Sequence, residues 1–243
     1  MRRTVSEAVI LMAGSGSRLG GGDSSFLKPL VPVLGCPLIS YTFDALLKAG
    51  VKKVNLIVGY ESKRMTGAIK SLIPPRLESR FIENRDWQKQ NGISLLAAAR
   101  HVTAPFLLTM SDHLFDPSIG DLLIERSDFN QLNLAVDKKL DSIFDLDDAM
   151  KVRTFGNRVV AIGKDLVPYN AIDAGLFICS REIFDYLERA KSNGDCSLAD
   201  GVRLMAADDK VRAIDIGPAW WQDVDTMAML EAAETKLAGV FKR

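Results

Sequence analysis

This 243-residue sequence has three cysteines, two histidines, 7% aromatic residues and no excess of charge of either sign. Cys36, Cys179 and Cys196 are odd in number, widely spaced and form no C-x-x-C pair, which argues against a zinc cluster or a disulfide framework. Thirty-one Lys and Arg balance 31 Asp and Glu, so no global field gathers nucleic acid or an anionic membrane, and an anionic ligand must be met by a local site. The longest apolar runs, residues 8–13 and 104–110, stop well short of the roughly 20 residues that a membrane span requires. Arg2 and Arg3 resemble the start of a secretion signal, but Glu7 and the glycines at 14 and 16 interrupt the apolar run beyond them, so a cytoplasmic location is expected.

What is present is a 47% hydrophobic chain in which short apolar runs alternate with amphipathic stretches. Residues 8–13, 53–58, 79–83, 105–110 and 131–136 read as strands, and 38–49, 62–72, 94–100 and 117–125 as helices. Repeated βα order with nearly continuous apolar strands predicts a mostly parallel mixed sheet covered on both faces, with ligands at its carboxyl edge. After Asp137 the pattern changes. Residues 149–154 and 158–163 flank Gly156-Asn157 and predict a small antiparallel β insertion, followed by a strand over 171–179. Helices at 181–190 and 198–207, a strand at 211–216 and a helix at 226–241 complete an α/β, Rossmann-like reading as one domain over 1–243.

The most informative segment is a strand that opens into Gly14-Ser15-Gly16-Ser17-Arg18-Leu19-Gly20, with Lys28-Pro29 beyond it. Backbone amides exposed in such a loop can cradle phosphates. The dinucleotide fingerprint would need glycine where Leu19 stands, and the P-loop would need Gly-Lys-Ser/Thr after its fourth spacer residue; neither fits. A bare strand-to-helix turn with two solvated cations is the plain alternative. Arg18 and Lys28 are the candidate catalytic cations.

Asp112 stands at the end of the fourth strand, where a parallel sheet presents its ligands, and Asp225 stands just ahead of the last helix. Two such carboxylates suffice for Mg2+, which keeps several waters and takes phosphate oxygens from a substrate. The competing reading makes Asp225 a helix cap and Asp112 a turn residue. His113 reads as a packing residue or a support for Asp112. Trp87, Trp220 and Trp221 read as core or cleft wall.

The glycine-rich loop with Lys28-Pro29, Asn91-Gly92-Ile93-Ser94-Leu95, Met110-Ser111-Asp112-His113, Ile172-Asp173-Ala174-Gly175 and Asp223-Val224-Asp225-Thr226 together resemble the sugar-phosphate nucleotidyltransferases. Within them, these segments and the run from Gly163-Lys164 to Asp173 are most similar to the CTP:inositol-1-phosphate cytidylyltransferases. The resemblance implies a glycosyltransferase-A type nucleotidyltransferase fold and formation of CDP-inositol and pyrophosphate from CTP and inositol 1-phosphate. It assigns Leu11, Met12, Ala13, Gly14, Ser15, Gly16, Gly92 and Ser94 to the nucleotide, Arg18 and Lys28 to the triphosphate, and Asp112 and Asp225 to magnesium. Lys164 and Asp173 go to the acceptor, within a β subregion at about 137–180; read without the family, they are a solvated turn lysine and a strand-end residue.

The expected partners are small molecules and no nucleic acid, with the product passed to a separate membrane synthase; the chain is expected to act as a monomer or homodimer. The segment from Gly20 to Ser25 lengthens the usual loop before Lys28 and is expected to move until nucleotide binds. Another phosphorylated acceptor (a sugar 1-phosphate, phosphocholine or an aminoalkylphosphonate), or UTP or GTP, remains open. So do a nicotinamide-dependent oxidoreductase with Glu61 on the ribose and a catalytically silent nucleotide-binding module.

Overall fold

All six residues of the first strand, β1 (Glu7–Met12), are buried, as an apolar run at the centre of a two-faced sheet must be. The computed structural model describes residues 4–21, 25–103 and 105–241. Eight further strands join β1 in one sheet: β2 (Lys53–Val58), β3 (Glu78–Glu83), β4 (Phe106–Met110), β5 (Leu132–Asp137), β6 (Lys151–Phe155), β7 (Arg158–Gly163), β8 (Ala171–Cys179) and β9 (Val211–Asp215). Their order is β3-β2-β1-β4-β8-β5-β9-β7-β6. The half containing β3, β2, β1 and β4 is parallel throughout, whereas β8 runs antiparallel to both β4 and β5. β6 pairs with β7 across the Gly156-Asn157 turn and pairs again with β8, so the insertion folds back onto the sheet. Gly156 alone takes positive φ in that turn, the pattern of a type II′ hairpin.

Alternation along β1 sends Val9 and Leu11 to one face and Ala8, Ile10 and Met12 to the other. On the first face they meet α3 (Asn91–Ala97), α5 (Glu182–Ala190) and α6 (Leu198–Ala207) through Leu95, Leu187 and Val202. On the second they meet α1 (Leu38–Lys48), α2 (Ser62–Lys70) and α4 (Ser118–Arg126) through Phe43, Met65 and Leu123. Each fully buried Leu, Ile or Phe contributes about 1.5–3 kcal/mol, which makes these two faces the main source of stability. The last helix, α7 (Met227–Phe241), packs instead on a third, smaller cluster with Val33, Leu38, Leu114 and Val224.

Two of the differences from the sequence reading bear on the site. α3 begins at Asn91 rather than at residue 94, because the apolar periodicity starts only at Ile93 while tertiary packing recruits the residues before it. A short antiparallel ribbon, His113–Phe115 with Trp221–Asp223, was not legible at all, since three residues carry no period. Residues 22–24 of the lengthened loop, Arg2, Arg3 and Ala104 lie outside the described residues. Among the described residues no helix is long and apolar enough to cross a membrane.

Candidate active site

Gly16 fixes the loop after β1. Its φ of +65° lies in the left-handed region, and a Cβ there would stand 2.7 Å from Cβ of Lys28. Only glycine meets both demands. Lys28 can therefore cross behind the loop, and its stem is buried there while the ammonium reaches the carboxyl edge of β1 and β4.

The short ribbon explains how Asp112 and Asp225 meet. Ser111 N–H bonds Leu11 C=O at 3.0 Å, aligning the end of β4 with that of β1, and Val224 N–H bonds Asp112 C=O at 2.9 Å, laying the 221–225 segment beside it. The Lys28 ammonium donates to Asp112 Oδ2 at 2.6 Å and also to Asp225 Oδ1. The helix after Asp225 is capped by its neighbour: Thr226 Oγ1 accepts the Met229 N–H at 3.2 Å. The Asp225 carboxylate is thus directed at the cations and the capping reading does not apply to it.

From Lys28 the charges continue in alternation. Arg18 donates to Asp225 Oδ2 at 2.5 Å and to Asp148 Oδ2 at 2.8 Å, and Lys164 donates to the other oxygen of Asp148. Six side chains from separate segments thus form one line: Asp112, Lys28, Asp225, Arg18, Asp148, Lys164. Behind its first member, the His113 ring nitrogen Nδ1 lies 2.7 Å from Asp112 Oδ1. The imidazole stacks on Trp221, whose indole N–H donates to Asp137 Oδ2 at 3.1 Å.

Titration follows these contacts. Burial would push the Asp112 carboxyl up, but the Lys28 ammonium and the His113 hydrogen bond outweigh it and hold the group far below the usual carboxylate range. Burial likewise opposes the charge on Lys28, and Asp112 and Asp225 more than restore it. His113 is raised: burial favours the neutral ring, but its bond to Asp112 and the charges of Asp112, Asp223 and Asp173 prevail. Asp173 goes the other way, pushed up to about 6 by burial that the Gly175 N–H and His113 only partly offset. Asp223 is also raised, by burial and by the nearby carboxylates of Asp225 and Asp112.

Two cavities meet along the line. The smaller, about 310 Å³, is walled by Leu11, Met12, Ala13, Gly14, Gly16, Lys28 and Ser94 among others. Ser15 and Gly92, expected in it, are not in its wall. A Cβ on Gly92 would come within 2.6 Å of Cys196 C=O, so this glycine serves the close approach of α3 to the start of α6. The larger cavity, about 1130 Å³, is walled by the β6–β7 hairpin, the preceding loop and the ribbon, and it includes Asp148, Lys164, Asp173 and Trp221. Arg18, Asp112 and Asp225 line both.

Some site residues carry no mark in the sequence. Asp148 ends an Asp-Leu-Asp-Asp run that reads as solvated acid, and Asn84 sits in a polar run at the end of β3, Glu83-Asn84-Arg85-Asp86, that reads as a solvated turn. Asn84 is buried, and its amide donates to Ser94 Oγ at 3.0 Å, which fixes the orientation of that hydroxyl. Glu61, the candidate ribose ligand of the oxidoreductase reading, instead flanks α2 on the surface and pairs with Arg64 at 3.4 Å.

For magnesium, the relevant observation is that Asp112 Oδ2 and Asp225 Oδ1 converge on a single ammonium nitrogen, so both oxygens can face one cation. That pair fits the one or two carboxylates that magnesium takes from a protein. Among the described residues no group of three or more His, Cys, Asp or Glu is arranged as a metal cage.

Known proteins similar to this chain are nucleotidyl transferases by name. The chain is 35% identical over 235 residues to a bifunctional IPC transferase and DIPP synthase of Rubrobacter xylanophilus, covering 96% of this chain and 52% of that protein. It is 29% identical to the protein of the same name from Aquifex aeolicus, with the same coverage of both chains. The chain thus spans about half the length of the curated relatives it matches. The solved inositol-1-phosphate CTP transferase from T. maritima superposes with a TM-score of 0.84 at 27% identity, covering 97% of this chain and 96% of that one. A UDP-glucose pyrophosphorylase complexed with UDP-glucose shares the fold, with a TM-score of 0.80 at 17% identity over 99% of this chain and all of the other. The family model described as a MobA-like NTP transferase domain matches residues 8–204, and the chain belongs to that family.

Proposed function

We propose that the chain is a cytidylyltransferase that joins CTP and inositol 1-phosphate into CDP-inositol and releases pyrophosphate. The observation that carries this reading is the junction of two cavities at Arg18, Asp112 and Asp225. A nucleotidyl transfer needs a triphosphate and an acceptor phosphate to meet end to end, and a line of cations between two cavities supplies that meeting place. The names of the relatives and of the T. maritima neighbour support the choice of CTP and inositol 1-phosphate.

In this reading the smaller cavity takes the nucleoside end of CTP, against the backbone from Leu11 to Gly16 and the hydroxyl of Ser94. Ser15 and Gly92 shape the loop and the start of α3 rather than touching the base. The acceptor lies in the larger cavity, within the β subregion at about 137–180, with Lys164 toward its phosphate and Asp173 toward its hydroxyls. An oxygen of that phosphate attacks the α-phosphorus of CTP as the bond from the α-phosphorus to the oxygen bridging to the β-phosphorus breaks, and pyrophosphate departs with the electron pair. Arg18 and Lys28 neutralise charge on the equatorial and leaving oxygens, so catalysis is positioning plus electrostatic stabilisation. His113 holds Asp112 in one orientation. Asp112 and Asp225 would hold Mg2+, which when bound adds charge neutralisation and a template for the phosphate oxygens.

The test is a pyrophosphate-release assay in which CTP, UTP, GTP and ATP are each offered inositol 1-phosphate, glucose 1-phosphate, phosphocholine and an aminoalkylphosphonate, with and without magnesium. Turnover with CTP and inositol 1-phosphate well above every other pair is the expected result. A higher rate with another pair reassigns the substrate, and no pyrophosphate from any pair overturns the reading.

A further inference from the structure

Asp148 stands where the catalytic picture needs an anion to stand. It is the one carboxylate of the line that neither borders the nucleotide cavity nor belongs to the proposed metal pair, and it bridges Arg18, from the phosphate loop, and Lys164, from the β6–β7 hairpin. Its two oxygens go to different cations. A phosphate held between the same two side chains would divide its oxygens in the same manner.

The local backbone holds Asp148 in this place. Ala149 N–H bonds Asp145 C=O at 3.1 Å, turning the chain, and the buried Lys151 ammonium donates to Asp147 C=O at 2.7 Å. Asp173 N–H bonds Met150 C=O at 2.9 Å, tying the far side of the turn to β8. The side chain itself is only partly covered, with 35% of its surface exposed, and Arg18 and Lys164 are more than half exposed. The pairs are therefore weakened by solvent and can exchange partners at small cost.

We infer that the Asp148 carboxylate is an internal stand-in for the acceptor's phosphate: it holds Arg18 and Lys164 together in the free protein and is displaced when a phosphate monoester binds between them. This rests on reading the larger cavity as the acceptor site. Asp148 is accordingly a specificity residue. A neutral polyol cannot displace it, since neither cation gains a partner in exchange, whereas a dianionic phosphate satisfies both. It also keeps stray monovalent anions from the two cations, since they carry the same single charge as the carboxylate and would have to displace a group already tethered beside both.

The sign of the effect separates this role from a merely structural one. If Asp148 competes with phosphate, Asp148→Asn strengthens phosphate binding; if it only organises Arg18 and Lys164, the same change weakens binding. The experiment is calorimetric titration of the free protein with inorganic phosphate, for the unaltered chain, for Asp148→Asn and for Asp147→Asn. The last makes the same change of net charge in the same turn, outside the cavity wall, and so measures the unspecific gain. Two solvent-screened pairs predict a Kd about three- to tenfold lower in Asp148→Asn than in Asp147→Asn. In turnover with CTP and inositol 1-phosphate, KM for the acceptor falls in step and by more than KM for CTP, because Arg18 borders both cavities while Lys164 borders only the larger. Equal or weaker phosphate binding in Asp148→Asn overturns the inference. Absence of turnover with inositol 1-phosphate in the unaltered chain would count against the proposed substrate, while the phosphate titrations would still decide the role of Asp148.

Discussion

At the amino edge of the sheet Glu7 is buried with every contact supplied by fixed neighbours. One oxygen accepts the Asn55 amide at 2.8 Å and lies 3.3 Å from the Lys53 ammonium; the other accepts both the N–H and the hydroxyl of Thr103 at 2.8 Å. At the carboxyl edge, Asp112, Asp225 and Asp148 are met almost wholly by the long side chains of Lys28, Arg18 and Lys164. Both edges hold charge, but at the first both oxygens of the carboxylate are met by donors fixed in the sheet and the loop beside it. The second is a set of ion pairs between long side chains, whose cations can take another anion in place of a carboxylate. The difference teaches how a buried charge is held: mostly short donors fixed by the backbone make a pin, whereas long cationic side chains leave room for another anion.

The comparison breaks most visibly at Lys28. In the proposed mechanism Lys28→Met removes a charge-stabilising donor, and it should lower kcat for pyrophosphate release by about 10²-fold or more. Near-normal turnover would show that the buried lysine belongs with Glu7 as a structural element. The reverse test is Glu7→Ala, which strands the donors of Asn55 and Thr103 and should cost about 2 kcal/mol. For a chain of this size that is a fall in Tm of about 4–8 °C, read by calorimetry, with kcat at 25 °C unchanged. A loss of activity in the folded variant would show that the two edges are coupled.

The smallest expected effect is a contrast in pH. The bonds from Thr103, Asn55 and Lys53 outweigh the burial of Glu7 and hold its carboxyl below the ordinary value. The stability it contributes is present above its unfolded pKa and lost as pH falls through the folded one. Asp173 has the opposite sign: raised by burial from 3.8 to about 6, it favours the folded state fully when protonated and loses that contribution as pH rises through its folded pKa. Urea midpoints measured from pH 4 to 7 should therefore rise with pH for Asp173→Asn relative to the unaltered chain. Parallel curves would mean that Asp173 titrates like a surface carboxyl.

The parts of the fold that are legible in the sequence are those whose signals are local. The strand over residues 53–58 coincides with β2 and that over 171–179 with β8, because burial on both faces writes a largely apolar run into each. Gly16 and Lys28 are visible because a loop that turns sharply and binds anions needs both residue types. The pairing of Asp112 with Asp225 is legible only through a resemblance, since the ribbon that creates it is set by register between distant segments. Asp148 is hidden because the sequence offers three aspartates in four positions, and only the turn at Asp145 and the anchor at Lys151 select one of them.

The ribbon has a consequence for the life of the chain on the ribosome. A polypeptide released up to Gly217 already contains all nine strands of the main sheet and the glycine-rich loop, yet the partner of Asp112 is still inside the exit tunnel. The fold can thus be largely assembled before the pair of acids exists. Nascent protein would pass through an interval in which the main sheet is complete and the two carboxylates have not yet been brought together.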